Sequence, residues 1–479
     1  MTRALAFKGA AVLMAGQGLS QILGFGRNIV IAWAISPHDV GVAAALAVTM
    51  SLVELLADVS IDKLLIQASD GDEPRMQAAS QAAMALRGVV QAVVVFALSW
   101  PVAALFELPG VVWAFQCVAL GPLMKGFAHL DPVRAQRGLT FMPAVVCEVV
   151  PQLLAFAAIW PLTHWLPDFR AVLVATLLQA GLFTVLTHVC ARRRYEWGWD
   201  RDLFLRIGSF GWPLVINGVL LFAINQGDKV VIGTCYSKEA LAVWANMIVL
   251  ASAPLSVFSK VTVGLALPML AGCRSDRGQF DRRYELCMQG LAVSGALVAI
   301  PLILSGGAIM SLVYGKAYAS AGEYASALAV AQAFRVCRIG PTIAALAHGE
   351  TGNAAMGNAA RLIGVAGAGA VGLMHGSLLM IAVAATVGEV ASFVVATARL
   401  QQKGILRIWQ TLRPFILMCG VLAAAGIAHV VRPQNSSGWG PIAIAAAGSV
   451  VGGTVLFLCY ARLRREPVLW LKGLRGASA

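Results

Sequence analysis

Long apolar runs alternate with short polar breaks from one end of the chain to the other. With about 20 apolar residues as the length that crosses a bilayer, the pattern predicts fourteen helices. They lie near 9–35, 40–68, 79–105, 109–128, 140–163, 168–190, 207–233, 240–271, 284–312, 321–347, 358–374, 376–398, 412–431 and 439–461. Breaks such as Ser36-Pro37-His38-Asp39, Glu107-Leu108-Pro109-Gly110 and Pro433-Gln434-Asn435 carry turn chemistry. At His375-Gly376 the connection is almost absent, so counts of twelve or thirteen stay open beside fourteen. Gly121-Pro122 and Gly340-Pro341 fall inside runs and predict kinks, since proline lacks the N–H that a helix interior uses. Met1–Ser20 starts like a signal peptide, but Gln17, Gln21 and the lack of a cleavage-like site fit a first transmembrane helix better.

Composition narrows the class. The chain is 59% hydrophobic and 12% charged, with a mean hydropathy of +0.77. Soluble domains carry about 25% charged residues. A soluble enzyme, a secreted disulfide scaffold and a disordered chain are therefore excluded, leaving an all-α polytopic membrane protein. No connection is long enough to house a soluble catalytic domain. No P-loop, H-E-x-x-H or spaced Cys/His set occurs, so neither ATP coupling, a cofactor nor a metal is expected. The nine cysteines form no C-x-x-C pair and read as packing residues.

The net charge of +13 does not point to nucleic acid, because the cations sit in short clusters between runs. With the N-terminus in the cytoplasm, inner segments hold 24 Lys and Arg, Arg361 included, and outer loops hold 4: Arg170, Lys238, Lys316 and Arg432. This bias predicts both termini on the cytoplasmic side.

At an offset of 201 residues, Gly26–Ser51 aligns with Gly227–Ser252, and eight of the 26 positions are identical. The register lays the first two helices on the seventh and eighth in the same orientation. This is the pattern of parallel transporter repeats. It predicts a six-helix bundle over 1–200, a second over 201–405, and two further helices with a basic tail over 406–479.

Charges inside apolar runs need a partner, a wet cavity or a route to the interface. The second run carries Ser51, Glu54, Asp58 and Asp62 on one face, and the first carries Gln17, Gln21, Arg27 and Asn28. Arg27 pairing with those acids is expected, either as a structural ion pair or in ion coupling and substrate contact. In the tenth run Gln332, Arg335 and Arg338 recur every third residue, followed by Thr342. Two adjacent guanidinium groups repel unless an anion or an acid lies between them. They either face an anion-binding cavity or pair with acids such as Glu389 or Glu148. The seventh run offers Asn217, Asn225, Gln226, Asp228 and Lys229, and the eighth Asn246, Ser256 and Lys260.

Several short motifs carry a family resemblance. They are Gly24-Phe25-Gly26-Arg27-Asn28 through Val40-Gly41, Leu56-Ala57-Asp58-Val59-Ser60, Phe210-Gly211-Trp212-Pro213-Leu214, Gly227-Asp228-Lys229 through Gly233, and Ala253-Pro254-Leu255. Together they resemble the Wzx-type polysaccharide repeat-unit flippases of the multidrug/oligosaccharidyl-lipid/polysaccharide exporter superfamily. The resemblance implies a MATE-like fold in the bacterial plasma membrane. It also implies translocation of an undecaprenyl-diphosphate-linked oligosaccharide to the outer leaflet, in concert with polymerase and export machinery. On this expectation Arg27, Arg335, Arg338, Lys260, Gln332 and Asn28 line the diphosphate and sugar cavity. Glu54, Asp58 and Asp228 take a coupling proton or sodium ion, or pair charges. A lipid II flippase and a cation-coupled multidrug exporter are the alternatives.

Overall fold

The computed structural model describes residues 2–56, 61–431, 440–460 and 462–464. Asp58 and the turn expected at Pro433-Gln434-Asn435 lie outside them. Every regular element among the described residues is helical. Nine of these helices are long and apolar enough to cross a membrane, or ten if the bent pair Pro109–Gly126 and Asp131–Gly138 forms one broken span.

Two compact units divide the chain, Met1–Ala242 and Val243–Ala479. The first contains α1 (Thr2–Ala34), α2 (Pro37–Leu56), α3 (Ile61–Gln67), α4 (Pro74–Leu105), α5 (Val112–Val118), α6 (Leu120–Gly126), α7 (Asp131–Arg134), α8 (Met142–Trp165), α9 (Phe169–Val189) and α10 (Arg201–Cys235). The first turn of α11 (Lys238–Ala271) belongs to this unit and the rest to the second. The second continues with α12 (Arg277–Tyr314), α13 (Gly322–Cys337), α14 (Ile339–Ala347), α15 (Gly352–Leu373), α16 (Leu378–Gln402), α17 (Ile408–Val431) and α18 (Gly440–Cys459). The sequence pattern sets a bundle boundary at 200/201, whereas the first compact unit also takes in α10, which packs along α2.

Glycine allows close helix approaches in each unit. In the first unit a Cβ on Gly88 of α4 would stand 2.6 Å from the Gly126 Cα of α6. In the second, a Cβ on Gly364 of α15 would stand 2.9 Å from the Gly388 Cα of α16. Neither crossing leaves room for a side chain.

The repeat is visible in the helix ends. Helices α1 and α10 end at Ala34 and Cys235, and α2 and α11 begin at Pro37 and Lys238, each 201 residues apart. The caps repeat as well. The Asp39 N–H donates to Ser36 Oγ at 3.1 Å, and the Ala240 N–H donates to Ser237 Oγ at 3.2 Å. Lys238, counted among the outer-loop charges, is buried at the start of α11, and its Nζ donates to the Gly233 carbonyl at 2.7 Å.

Near both Gly-Pro steps the helix is interrupted at a single residue whose backbone stays α-helical. A 3₁₀ turn at Pro109–Val111 leads into α5 and α6, and another at Lys316–Ala321 leads into α13 and α14. In each pair the break falls two residues before the Gly-Pro step, at Ala119 and at Arg338. Pro341 cannot donate to Cys337, and Thr342 Oγ1 donates to the Arg338 carbonyl at 3.0 Å. The sparse break at His375-Gly376 also stands: α15 ends at Leu373, His375 adopts φ 49°, and Ser377 caps α16.

Basic side chains knit one end of the first unit. Arg134 binds Asp72 at 2.6 Å and Asp131 at 2.7 Å, and Arg206 binds Asp70 at 2.7 Å. Arg137 Nη1 donates to the carbonyls of Leu65, Ile66 and Ala68, closing the C-terminus of α3. The hydrogen bond from Arg134 holds the Asp72 carboxyl below the usual carboxylate range, and Arg206 does the same for Asp70.

Candidate functional site

The densest buried charge among the described residues lies in the second unit, where four helices converge on Glu389. This residue sits on α16 with its side chain 3% exposed. Its Oε1 accepts Arg335 Nε from α13 at 2.8 Å and lies 2.7 Å from Arg361 Nη2 of α15. Arg338, at the break between α13 and α14, places Nε 3.7 Å from Oε2 and donates from Nη1 to Asn358 Oδ1 at 3.4 Å. Both Glu389 Oε2 and Arg338 Nε lack a hydrogen-bond partner.

Three guanidinium groups thus face one carboxylate, a surplus of two positive charges. A buried charge without compensation is costly, so this surplus favours an anion wherever one can reach it. Arg335 offers the way in: its side chain is 36% exposed, against 8% for Arg361. Planar guanidinium groups present forked donors that match phosphate oxygens.

Local sequence explains the convergence. Arg335 and Arg338 are three residues apart and Arg338 keeps α-helical dihedrals, so both leave neighbouring turns toward the same acid. The glycine crossing at 364 and 388 brings the α15 backbone close enough for Arg361 to reach Glu389. Arg361 was counted among the inner-segment charges at the start of the 358–374 run; it lies on α15, buried. Its signal was the spacing Asn353, Gly357, Arg361, Gly364, Ala368, Gly372, a single helical face of small and polar residues. Gln332 is buried on α13.

The other expected site residues have separate surroundings. In the first unit Arg27 donates from Nη1 to Gln179 Oε1 of α9 at 2.8 Å; of the acids expected to pair with it, Asp58 lies outside the described residues. Glu54 instead accepts Lys125 Nζ at 2.6 Å. Asn28 is partly buried on α1, and Glu148 is exposed on α8. The Asp228 Oδ1 accepts the Lys229 N–H at 2.9 Å, while Lys229 Nζ donates to Gln226 Oε1 at 2.9 Å. Lys260 is exposed on α11, and the ion pairs of Glu389 are with Arg335, Arg338 and Arg361.

Among solved structures the fold is similar to a lipid II flippase, MurJ, in an inward closed conformation. The TM-score is 0.72 at 13% identity, over 95% of this chain and 100% of that one. It is also similar to an inward-facing multidrug resistance MATE family transporter of the MOP superfamily, with a TM-score of 0.63 at 13% identity over 85% and 96% of the two chains. A MATE in a bent conformation gives 0.54 at 12% identity over 87% and 97%. No curated protein sequence matches the chain. A family model described as "Polysaccharide biosynthesis protein" matches residues 30–323. The chain is a multi-pass membrane protein with a transporter fold, and it belongs to this polysaccharide biosynthesis protein family.

Proposed function

We propose that this protein flips undecaprenyl-diphosphate-linked oligosaccharide repeat units from the inner to the outer leaflet of the bacterial plasma membrane. The observation that carries the reading is the surplus of two positive charges at Arg335, Arg338, Arg361 and Glu389 in a chain of the polysaccharide biosynthesis family. A diphosphate supplies the missing negative charge, and Arg335 is the exposed group that meets it first. The headgroup crosses by alternating access while the lipid tail stays in the bilayer, and both termini face the cytoplasm, as the charge bias favours. Arg27, Asn28, Lys260 and Gln332 contribute polar contacts along the path. Glu54, Asp58 and Asp228 serve ion coupling or charge pairing.

The experiment is a leaflet-resolved assay of lipid-linked sugars in cells with and without the protein. The expected result is an undecaprenyl-diphosphate oligosaccharide stranded on the inner leaflet when the protein is lost, and its mass spectrum names the repeat unit. Normal crossing of lipid-linked sugars would overturn the reading. A second reading, transport of lipid II, is favoured by the fold likeness to a lipid II flippase. It would show as a stranded peptidoglycan precursor in the same assay.

A further inference from the structure

Helices α15 and α16 pack antiparallel in a register that their contacts define. Gly364 meets Gly388, Arg361 meets Glu389, Gly357 meets Ser392 and Ala396, and Gly352 meets Arg399. Each pair sums to about 751, so Asn353 stands opposite Thr397. From the end marked by Glu350 and Lys403, the interface therefore runs from Asn353 and Thr397 through Ser392 to Glu389 and Arg361.

This stretch is polar, buried and unpaired. Asn353 is 1% exposed, and neither its Nδ2 nor its Oδ1 has a partner. The same holds for the hydroxyls of Ser392 and Thr397, and for Glu389 Oε2 at the inner end. Helical serine and threonine hydroxyls commonly satisfy themselves on the carbonyl four residues back. Neither of these does, and Ser392 Oγ lies toward α15, 3.2 Å from where a Cβ on Gly357 would stand. Polar groups left without partners in a protein interior require an occupant with matching donors and acceptors.

We propose that the α15–α16 interface holds a file of bound water molecules from Asn353 and Thr397 to Glu389. The chemistry selects water over an ion. The amide and two hydroxyls offer donors and acceptors together, which suits a molecule that does both. A cation is opposed by positive groups at both ends: Arg335, Arg338 and Arg361 at the inner end, and Arg399 with the Glu350-bound Lys403 at the outer. An anion gains nothing from the neutral middle, and Glu389 Oε2 repels it. Gly352 and Gly357 bare the α15 backbone to this interface: a Cβ at 357 would stand 3.2 Å from Ser392 Oγ, and one at 352 would stand 3.4 Å from Arg399 Nη2. The waters hydrate the unpaired Glu389 Oε2 from the α15–α16 side.

Radiolytic hydroxyl labelling of the full chain in nanodiscs tests this, because X-rays generate radicals from bound water inside a protein. Leu400 and Ile381 both lie on α16 at 0% exposure, on either side of the Gly388 crossing. Leu400, one turn beyond Ala396, is expected to be labelled, and Ile381 is not. The Asn353→Leu, Ser392→Ala, Thr397→Val variant is expected to lose the Leu400 label. If that variant fails to insert, the contrast between Leu400 and Ile381 in the unaltered protein decides. A Leu400 as silent as Ile381 would overturn the proposal, as would anomalous scattering from bromide bound between Asn353 and Ser392.

Discussion

Arg361 Nη2 stands 2.7 Å from Glu389 Oε1, and both side chains are less than a tenth exposed. The same oxygen also accepts Arg335, so this carboxylate is the shared counter-charge for three cations. Removing it leaves three guanidinium groups facing one another, with Arg361 buried and Arg338 largely so. Glu389→Gln is expected to destabilise the second unit by about 3–5 kcal/mol, the cost of stranding buried charge. Arg361→Gln leaves Glu389 paired and is expected to cost less. Thermal unfolding in detergent reads the order, and equal losses would contradict the shared role of Glu389.

Arg335 and Arg338 differ from Arg361 in their surroundings: one is the most exposed of the three, and the other holds an unpaired Nε. The double variant Arg335→Gln, Arg338→Gln is expected to abolish transport while leaving membrane insertion intact, since Arg361 still neutralises Glu389. Normal export of the lipid-linked sugar by this variant would refute the anion role.

Much of this architecture was legible in the sequence because its signals are local. Apolar run length placed helices, Gly-Pro steps placed the breaks, and an offset of 201 matched helix ends and caps. Arg335 and Arg338 stood out because two cations on one apolar face need an explanation. Arg361 did not, since α15 begins Gly352-Asn353-Ala354-Ala355-Met356-Gly357-Asn358 and reads like a loop. That segment is helical because its small and polar face is buried against α16, a tertiary fact that hydropathy does not register. The partner of Arg27 was equally hidden: Gln179 lies 152 positions away, and nothing local links them.

The position of Glu389 also depends on the preceding residue. A Cβ on Gly388 would stand 3.0 Å from the Arg361 carbonyl and 3.0 Å from the Gly364 Cα. Gly388→Val therefore pushes α15 and α16 apart at the point where Arg361 reaches across. Overpacking of this kind costs about 1–3 kcal/mol. It is expected to reduce transport as well, by lengthening the Arg361–Glu389 contact. Gly369→Ala on α15, where a Cβ meets nothing, is the control and is expected to behave as wild type.

Acid should weaken the base of the first unit through Asp72. Arg134 hydrogen-bonds this carboxylate and holds its pKa below the ordinary value in the folded chain. The stabilisation is therefore complete above the usual carboxylate range and disappears as pH falls through the lowered pKa. Asp72 is 64% exposed, so the effect is small and weakened by salt. Unfolding of wild type and Asp72→Asn, compared as a function of pH, is expected to differ at neutral pH and converge in acid. A difference that persists unchanged in acid would exclude this linkage.

Glu54 separates ion coupling from structural pairing. Its contact with Lys125 is 2.6 Å, but the side chains are 43% and 38% exposed. A pair this open contributes about 0–1 kcal/mol, so Glu54→Gln is expected to leave the melting temperature nearly unchanged. If Glu54 takes up the coupling proton, the variant loses the pH dependence of transport while stability holds. If Glu54 only pairs with Lys125, Lys125→Gln has the same mild effect and both variants keep the wild-type pH profile. Transport in proteoliposomes under an imposed pH gradient distinguishes the two. Loss of the gradient response in Glu54→Gln alone assigns the proton to the carboxylate, because Lys125→Gln removes the same ion pair and keeps that carboxylate.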